Sequence, residues 1–327
     1  MDTLLITSKE IYSVLTPATA NRIVEKAFRA YGSGKADMPP KSYLHFKKGD
    51  LRSMPAYICG EGFNIAGIKS VNVHPLNIRN NMPTVMGLII LTDPNTGFPL
   101  AVLDGTSLTS IRTGAAGALA VKLLSKRNAR YAGFVGSGTQ ARTQLECIME
   151  VRKLKGIKIW KYSGKDPSAE ELSVWAKRKY KLDTLVSEDI NDISMNVDIV
   201  VTTTPSRTPV VTHVSPGTHI NAIGADAPGK QEVNPNIIRK SKLVIDDWKQ
   251  ASHSGEINVP YRKRQIRKKD VYGELGEIAT GRKRGRELQS EITVFDSTGL
   301  AIQDVACAYA VYKQVKDKKK VKKISFF

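Results

Sequence analysis

The sequence predicts an α/β protein that combines a doubly wound parallel sheet with a mixed α+β domain. Residues 131–135 are apolar and run directly into Gly136-Ser137-Gly138-Thr139-Gln140-Ala141, which has the G-x-G-x-x-A spacing of the dinucleotide-binding fingerprint. Downstream, short apolar segments alternate with helical ones, as the strand-helix order of a Rossmann sheet requires. The length of 327 residues is enough for two domains.

The region before the fingerprint is predicted to form the mixed domain. A short strand at 4–6 precedes a helix from Pro17 to about Tyr31, in which apolar residues recur at helical spacing. Gly32-Ser33-Gly34 and Pro39-Pro40 end this helix. Strands dominate between residues 41 and 103, with candidates at 42–46, 67–72 and 84–91 separated by Gly, Pro, Asn and Asp.

The later region is predicted to form the parallel sheet. A helix over 113–124 leads into the fingerprint strand, and another helix covers 169–180. Further strands are predicted at 157–160, 197–204, 218–223 and 243–245. A last helix runs from 300 to about 315, and the tail at 324–327 can return to the first domain. We therefore expect one domain at 1–113 with 300–327, and a Rossmann domain at 114–299.

The formal net charge of +19 invites a nucleic-acid hypothesis. Most of the excess lies in three basic runs at 261–269, 282–286 and 316–323. Each run is typical of a solvated helix face or loop, and no aromatic-and-basic RNA motif or zinc spacing accompanies it. We predict no nucleic-acid partner; the alternative of a nucleic-acid-binding protein rests on charge alone.

The sequence also predicts a cytoplasmic protein. No apolar run is long enough to cross a bilayer, and the first residues lack the pattern of a signal peptide. The three cysteines, Cys59, Cys147 and Cys307, form neither a C-x-x-C pair nor a disulfide framework, which fits a reducing compartment. We expect no metal and no membrane partner.

The fingerprint itself assigns the first cofactor residues. Gly136 allows the tight turn, Gly138 lets a pyrophosphate approach the backbone, and the helix that follows directs its N–H groups at the phosphate. Ser137, Thr139 and Gln140 belong to the same candidate site. A glycine pair after a strand is also a common turn, so the motif gains its weight from the alternating strands around it.

The second Rossmann strand predicts the cofactor type. An NAD-binding protein carries an acidic side chain at the end of this strand, which accepts from the ribose hydroxyls. Here the strand ends in Trp160-Lys161-Tyr162-Ser163-Gly164-Lys165, without an acid before Asp166. Lys161, Ser163 and Lys165 are therefore candidates to hold a 2′-phosphate, and we predict that NADP serves at least as well as NAD. The alternative is a lysine-rich surface loop.

Several segments, taken in order, resemble one family. They are Met54-Pro55-Ala56, Lys69-Ser70-Val71-Asn72-Val73-His74-Pro75, Thr96-Gly97-Phe98-Pro99-Leu100, Leu108-Thr109-Ser110-Ile111-Arg112-Thr113-Gly114-Ala115-Ala116, the fingerprint, Asn221-Ala222-Ile223-Gly224-Ala225-Asp226 and Phe295-Asp296-Ser297-Thr298-Gly299. Together they resemble the ornithine cyclodeaminase/mu-crystallin family, and within it the archaeal alanine dehydrogenases. The resemblance covers essentially the whole chain and implies a homodimer, with a first domain that binds substrate and pairs subunits.

The resemblance implies roles for individual residues. Lys41, Arg52 and Lys69 match positions around the substrate, where cations would grip an α-carboxylate. Lys69 and Asp226 match catalytic positions: a desolvated lysine with a lowered pKa suits proton transfer, and a carboxylate suits activation of water. Without the resemblance, the three cations are equally typical of a surface, and Asp226 is typical of a turn.

The resemblance also implies further cofactor contacts: Arg112 for a phosphate, Lys230, Thr298 and Gly299 around the nicotinamide half, and Thr203, Asn221, Ala222 and Ile223 at ends of later strands. His74 and His219 are tempting as acid-base groups, but we interpret both as structural.

Two departures from the family bear on the substrate and the cofactor. Arg52 stands where cyclodeaminases carry a glutamate for the distal ammonium, which argues against ornithine. Lys161 stands where the alanine dehydrogenases carry an aspartate. We therefore predict an NAD(P)-dependent oxidoreductase that reversibly deaminates a small L-amino acid, with alanine the first candidate. The alternatives are a reductase of cyclic imino acids, an ornithine cyclodeaminase and a non-catalytic NADPH-dependent binding protein.

Overall fold

The structure is a computed structural model that describes residues 2–162, 164 and 166–326. It divides into two compact units, one comprising Met1–Arg112 with Leu300–Phe327 and the other Thr113–Gly299. Helix α3 contributes its first turns to the first unit and its remainder to the second. Among the residues described, no helix is long and apolar enough to span a membrane.

The first unit contains one sheet and four helices. Its strands are β1 (Thr3–Ile6), β2 (Ala36–Asp37), β3 (Ser42–Phe46), β4 (Gly49–Gly60), β5 (Phe63–Val73), β6 (Val85–Thr92), β7 (Pro99–Asp104) and, at the C-terminus, β16 (Lys322–Ile324). Its helices are α1 (Ser8–Val14), α2 (Pro17–Gly32), the first turns of α3 (Gly105–Leu124), and α11 (Ala301–Val315), with a 3-10 helix at Pro75–Asn80.

The first sheet has the order β16-β1-β7-β6-β5-β4-β2, with β3 also paired to β4. Helix α11 packs on α2 and on strands β4, β5 and β6. The face toward α11 carries Met54, Lys69 and Ile89, which are opposite one another on three neighbouring strands and are all buried. This register places a lysine in an otherwise apolar core.

The other face of this sheet carries a continuous apolar row. Successive cross-strand partners from β1 to β4 are Leu5, Val102, Ile90, Ile68 and Pro55. Ile90 is 40% exposed, and Leu88, two residues before it on the same face, is 56% exposed. An exposed apolar face of this kind is typical of an interaction surface.

The second unit contains a wholly parallel sheet. Its strands are β8 (Tyr131–Val135), β9 (Gly156–Trp160), β10 (Asp183–Ser187), β11 (Ile199–Thr202), β12 (His219–Ala222), β13 (Lys242–Ile245), β14 (Gly273–Glu274) and β15 (Thr293–Asp296). Its helices, after the end of α3, are α4 (Thr139–Met149), α5 (Ser168–Tyr180), α6 (Ile190–Ser194), α7 (Pro235–Lys240), α8 (Trp248–Ser254), α9 (Asn258–Arg262) and α10 (Leu275–Ala279), with a 3-10 helix at Lys268–Asp270.

The strand order of the second sheet is β10-β9-β8-β11-β12-β15-β13-β14. Both faces are covered by apolar cores, as a doubly wound sheet requires. Ile199 and Val201 of β11 point into one core, and Val200 between them points into the other. The predicted fold class, a Rossmann sheet with a second mixed α+β region, is confirmed.

Two elements differ from the sequence prediction for identifiable reasons. Helix α3 begins at Gly105 rather than near residue 113, because the Asp104 carboxylate accepts hydrogen bonds from the backbone N–H groups of Thr106 and Ser107. Strand β4 was not predicted as one long strand, since it contains Pro55. The structure accommodates this proline because β3 pairs with residues up to Ser53 and β2 pairs from Tyr57 onward.

Candidate active site

A buried charge cluster in the first unit joins β5, α3 and α11. Lys69 Nζ lies 2.8 Å from Asp304 Oδ2, and Arg112 Nε lies 2.9 Å from Asp304 Oδ1. Arg112 Nη1 also donates to Gln303 Oε1 at 2.8 Å, and Lys69 Nζ donates to the Thr109 hydroxyl at 3.3 Å. Lys69 and Arg112 therefore share one carboxylate, and the cluster carries excess positive charge for an anionic ligand when Lys69 is protonated.

The surroundings of Lys69 lower the pKa of its ammonium group. Burial, followed by the Arg112 guanidinium, lowers the pKa of Lys69 to about 7, against the opposing effect of Asp304. Lys41 lowers it further, which places that half-buried lysine within electrostatic reach of Lys69. An amine with a pKa near neutrality exchanges a proton readily at physiological pH.

Arg52 is held on the same face of the sheet as Lys69. Its Nε and Nη2 donate to Asp50 Oδ1 and Oδ2 at 2.7 and 3.1 Å, a two-point contact between residues two apart on β4. Its guanidinium carbon lies 5.5 Å from the centre of the Tyr43 ring. The arginine is 5% exposed, so Asp50 and Tyr43 fix its orientation.

The sequence prediction omitted Asp304, Gln303 and Asp50. Asp304 and Gln303 lie more than 190 residues from Arg112 along the chain, and only the packing of α11 brings them to it. The contact between Asp50 and Arg52 could have been predicted from the sequence, because residues two apart on a strand point to the same face.

The fingerprint residues of the second unit form a cradle that fits a dinucleotide. Gly136 has a φ of +110°, and a Cβ there would lie 2.6 Å from Thr203 Oγ1. Gly138 caps α4 and has open space where a Cβ would point. Thr203 Oγ1 and Gln140 Oε1 are buried without a hydrogen-bond partner among the residues described, as expected of groups that meet a ligand.

The remaining fingerprint residues and their neighbours are placed as follows. Ser137 Oγ lies 2.5 Å from Ser168 Oγ at the start of α5, and Thr139 is exposed at the start of α4. Ala222 ends β12, and Ile223 follows it; both are buried.

The predicted catalytic carboxylate lies in the loop after β12. Asp226 Oδ1 accepts from Lys230 Nζ at 2.6 Å, and both side chains are partly exposed. Lys230 therefore neutralises Asp226 and also reaches the Gly224 carbonyl at 3.4 Å. This ion pair links two residues that the sequence analysis assigned separately.

This loop is held by a buried glutamate, Glu232, that the sequence analysis did not identify. Glu232 Oε2 accepts from Thr202 Oγ1 and from the Gly224 N–H at 2.7 and 2.8 Å, and its Oε1 accepts from the Thr204 N–H at 2.5 Å. Burial raises the pKa of Glu232. The carboxylate thus ties together the loops that follow β11 and β12, which carry Thr203 and Asp226.

Three predicted cofactor residues use their polar groups in hydrogen bonds within the protein. The N–H groups of Thr298 and Gly299 both donate to Asp246 Oδ2, at 2.6 and 2.9 Å. Asn221 Nδ2 donates to the Gly117 carbonyl, and Asn221 Oδ1 lies 2.9 Å from His219 Nε2. The Asn221 side chain is therefore part of the core, and its strand is paired on both sides, with β11 and with β15.

The two histidines interpreted as structural differ: His219 is hydrogen-bonded within the core, whereas His74 Nδ1 is buried without a hydrogen-bond partner among the residues described. His219 is fully buried, and this burial lowers its pKa to about 3, so the imidazole is neutral at physiological pH. His74 packs its ring near Phe46 in the first unit. Neither contacts Lys69 or Asp226 in any described interaction.

The predicted phosphate-reading loop is described only in part. Lys161 Nζ lies 2.5 Å from Glu170 Oε1, a partner that the sequence analysis did not foresee. The Glu170 interaction raises the pKa of Lys161. Ser163 and Lys165 lie outside the described residues. Over the described ranges, no group of three or more His, Cys, Asp or Glu residues is arranged to hold a metal ion.

Comparison with known proteins identifies the relatives of the chain. The family model of the ornithine cyclodeaminase/mu-crystallin family matches residues 1–319. An alanine dehydrogenase from Archaeoglobus fulgidus is 48% identical over 331 aligned residues, which cover 100% of this chain and 99% of that protein. The predicted resemblance is confirmed.

Solved structures agree with this assignment. The chain is similar, with a TM-score of 0.95 and 48% identity over 100% of both chains, to an archaeal alanine dehydrogenase dimer with bound NAD. It is also similar to a Delta(1)-pyrroline-2-carboxylate reductase from Thermococcus litoralis in complex with NADH and L-proline, with a TM-score of 0.93 and 32% identity over 98% of this chain and 100% of that one.

Proposed function

The chain belongs to the ornithine cyclodeaminase/mu-crystallin family, and from that premise we propose that it is an NAD(P)-dependent oxidoreductase that reversibly deaminates L-alanine to pyruvate and ammonia. The observation that carries this proposal is the cluster in which Lys69 and Arg112 share Asp304. It supplies positive charge for a carboxylate and an amine with a pKa of about 7 for proton transfer.

The residues of the first unit would bind the amino acid by its carboxylate. Lys41, Arg52 and Lys69 are the predicted ligands, and we add Arg112 to them. Arg112 was assigned to a cofactor phosphate, but its ion pair with Asp304 and its electrostatic effect on Lys69 favour a place beside the substrate. Charge-assisted hydrogen bonds from such cations would hold the carboxylate and fix the position of the neighbouring Cα.

The proposed proton chemistry divides between two residues. Lys69 takes a proton from the substrate amine as the imino acid forms, which its lowered pKa permits. Asp226 activates the water that attacks this imino acid, and the products are the keto acid and ammonia. Lys230 orients the Asp226 carboxylate through their 2.6 Å contact.

The cofactor residues fit a nicotinamide dinucleotide. Gly136, Gly138, Gln140 and Thr203 would hold its phosphates and riboses, since they combine a close backbone approach with unpartnered polar atoms. When bound, the cofactor accepts or returns the hydride at substrate Cα. We propose that NADP(H) serves at least as well as NAD(H), because Lys161 stands where an acidic residue would exclude the 2′-phosphate.

A reductase of cyclic imino acids is the second candidate function. The similarity to a structure in complex with NADH and L-proline favours it, because the same cation cluster would hold the carboxylate of a cyclic imino acid. Arg52 argues against the alternative of an ornithine cyclodeaminase, since a buried guanidinium repels a second ammonium group.

We propose further that two copies of the chain pair through the first unit. The apolar row of Leu5, Val102, Ile90 and Ile68 with the neighbouring Leu88 supports this proposal, as does the similarity to a dimeric structure. This unit, Met1–Arg112 with Leu300–Phe327, would then bind substrate and pair subunits, while the second unit binds the cofactor. The free thiols of Cys59, Cys147 and Cys307 support a reducing, cytoplasmic location.

Lys69→Ala and Asp226→Ala test the proposed chemistry. Both variants should lose turnover of pyruvate with ammonium by at least about a hundredfold while NADH still binds, because general acid-base groups contribute factors of this size. Lys313→Ala and Asp183→Ala, which alter exposed or partly exposed residues of the same two units, are the controls. Near-wild-type rates in either test variant would remove that residue from the mechanism.

A further inference from the structure

Among the described residues, one hydrogen bond orients the side chain of Gln303. It lies in the first turn of α11 and has no exposed surface. Its Oε1 accepts from Arg112 Nη1 at 2.8 Å. Because a guanidinium can only donate, this bond fixes which end of the amide is oxygen, and Nε2 must occupy the opposite end.

The opposite end of the amide is unsatisfied. Gln303 Nε2 is buried and has no hydrogen-bond partner among the residues described. An amide nitrogen brings two N–H donors, and a buried donor without an acceptor destabilises the folded state. Native proteins rarely retain such a group unless a ligand or ordered water completes it.

The neighbours of Gln303 determine what the missing acceptor is. Arg112 uses Nε for Asp304 and Nη1 for Gln303, and the same Asp304 also pairs with Lys69. An acceptor that reaches Nε2 therefore enters a region where the permanently charged Arg112 and the basic Lys69 surround a single carboxylate. This field favours an anionic oxygen over a neutral carbonyl.

We propose that Gln303 Nε2 donates a hydrogen bond to the carboxylate of the substrate, beside Arg112 and Lys69. This inference rests on the proposed function for the identity of the carboxylate. Gln303 has two roles in it: Oε1 holds the guanidinium of Arg112, and Nε2 contacts the ligand directly. The amide adds a directional, uncharged donor to a set of cations. The site would therefore select its ligand by the geometry of the carboxylate as well as by its charge.

Two substitutions separate these roles. Gln303→Glu keeps an acceptor for Arg112 but replaces the donor at the ligand with a carboxylate oxygen. Gln303→Met removes both groups at nearly constant volume. The probe is oxamate, an unreactive carboxylate of about the size of pyruvate, titrated by calorimetry into the protein saturated with NADH. Gln250→Met is the matched control, since Gln250 is 4% exposed and lies in the second unit.

We expect Gln303→Met to weaken oxamate binding about tenfold or more, which corresponds to one hydrogen bond to a charged group. Gln303→Glu should weaken it further, because the new charge repels the carboxylate. NADH dissociation constants and oxamate binding by Gln250→Met should stay at wild-type values. If Gln303→Met does not fold, the comparison of Gln303→Glu with wild type still decides the proposal.

Three results would overturn it. Wild-type oxamate affinity in Gln303→Glu would mean that Gln303 only holds Arg112. Weakened NADH binding with unchanged oxamate binding would assign Nε2 to the cofactor. A wild-type protein that does not bind oxamate would remove the carboxylate site. Because calorimetry measures binding without turnover, a protein that binds oxamate through Gln303 but does not convert pyruvate would refute the proposed function alone.

Discussion

Lys69 Nζ and Asp304 Oδ2 are 2.8 Å apart, and the two side chains are 1% and 0% exposed. The pair differs from an ordinary buried ion pair because Asp304 also binds Arg112. Burial and Arg112 lower the pKa of Lys69 to about 7, and the Asp304 carboxylate limits this decrease. The charge of Asp304 therefore sets the pH at which Lys69 exchanges its proton.

Asp304→Asn is expected to move one limb of the pH profile to lower pH. In the wild type, kcat/KM for oxidation of L-alanine should rise through about pH 7, because Lys69 must be neutral to accept a proton. Asparagine removes the negative charge that favours the ammonium form of Lys69. The midpoint of this limb should therefore move to lower pH by about one unit or more. Asp317→Asn, an exposed change after α11, is the control. An unmoved limb in Asp304→Asn would show that Lys69 is not the titrating group.

Asp50→Ala is expected to raise KM for pyruvate several-fold with little effect on NADH binding. It removes the two-point contact that orients Arg52 but leaves the cation in place. Arg52→Glu should be more severe, because its negative charge repels the keto acid. Steady-state kinetics at saturating NADH measures both, with Asp37→Ala on β2 as the control. Unchanged KM values for alanine and pyruvate in Arg52→Glu would place Arg52 outside the site.

Cofactor preference depends on the Lys161–Glu170 pair. Glu170→Gln should raise the efficiency with NADPH relative to NADH, because it releases the Lys161 ammonium for the 2′-phosphate. Lys161→Asp should reverse the preference, since a carboxylate accepts from the ribose hydroxyls. The measurement is kcat/KM for each reduced cofactor. If the wild type clearly prefers NADH and Lys161→Asp changes neither efficiency, this loop does not read the ribose.

Substitutions in the apolar row of the first sheet test whether two copies of the chain pair there. Leu88→Lys combined with Ile90→Lys places two charges on the exposed face of the first sheet and should convert a dimer into monomers. Light scattering after size-exclusion chromatography measures the mass directly. Val174→Lys on α5, where Val174 is 65% exposed, is the control. A variant that stays dimeric would place the subunit interface elsewhere.

Local patterns in the sequence were sufficient for the parallel sheet. The fingerprint and the apolar strands that alternate with helices are short-range signals, and the observed β8, β9 and α5 coincide with the predicted segments to within one residue. The cation cluster could be predicted only in part. Lys69 carried a family signal, whereas Asp304 and Gln303 gain their meaning from the packing of α11, which no local pattern encodes.

The same distinction explains the cofactor region. Thr203 and Gly136 follow strands of the parallel sheet, where ligands bind in this fold, and the structure brings them together. Asn221 lies inside β12, one residue before its end, and its amide completes a hydrogen-bond network with His219 and Gly117. Whether a polar side chain at a strand end faces the ligand or the core depends on its partners on other strands.

The central claim is that this chain interconverts L-alanine and pyruvate. The most direct measurement is a steady-state comparison of purified protein with pyruvate and ammonium, with pyrroline-2-carboxylate and with L-ornithine, each with both NAD(H) and NADP(H). We expect that pyruvate with ammonium, and L-alanine in reverse, give the highest kcat/KM and that L-ornithine is not converted. A clearly higher efficiency with pyrroline-2-carboxylate, or no turnover with any of these compounds, would contradict it.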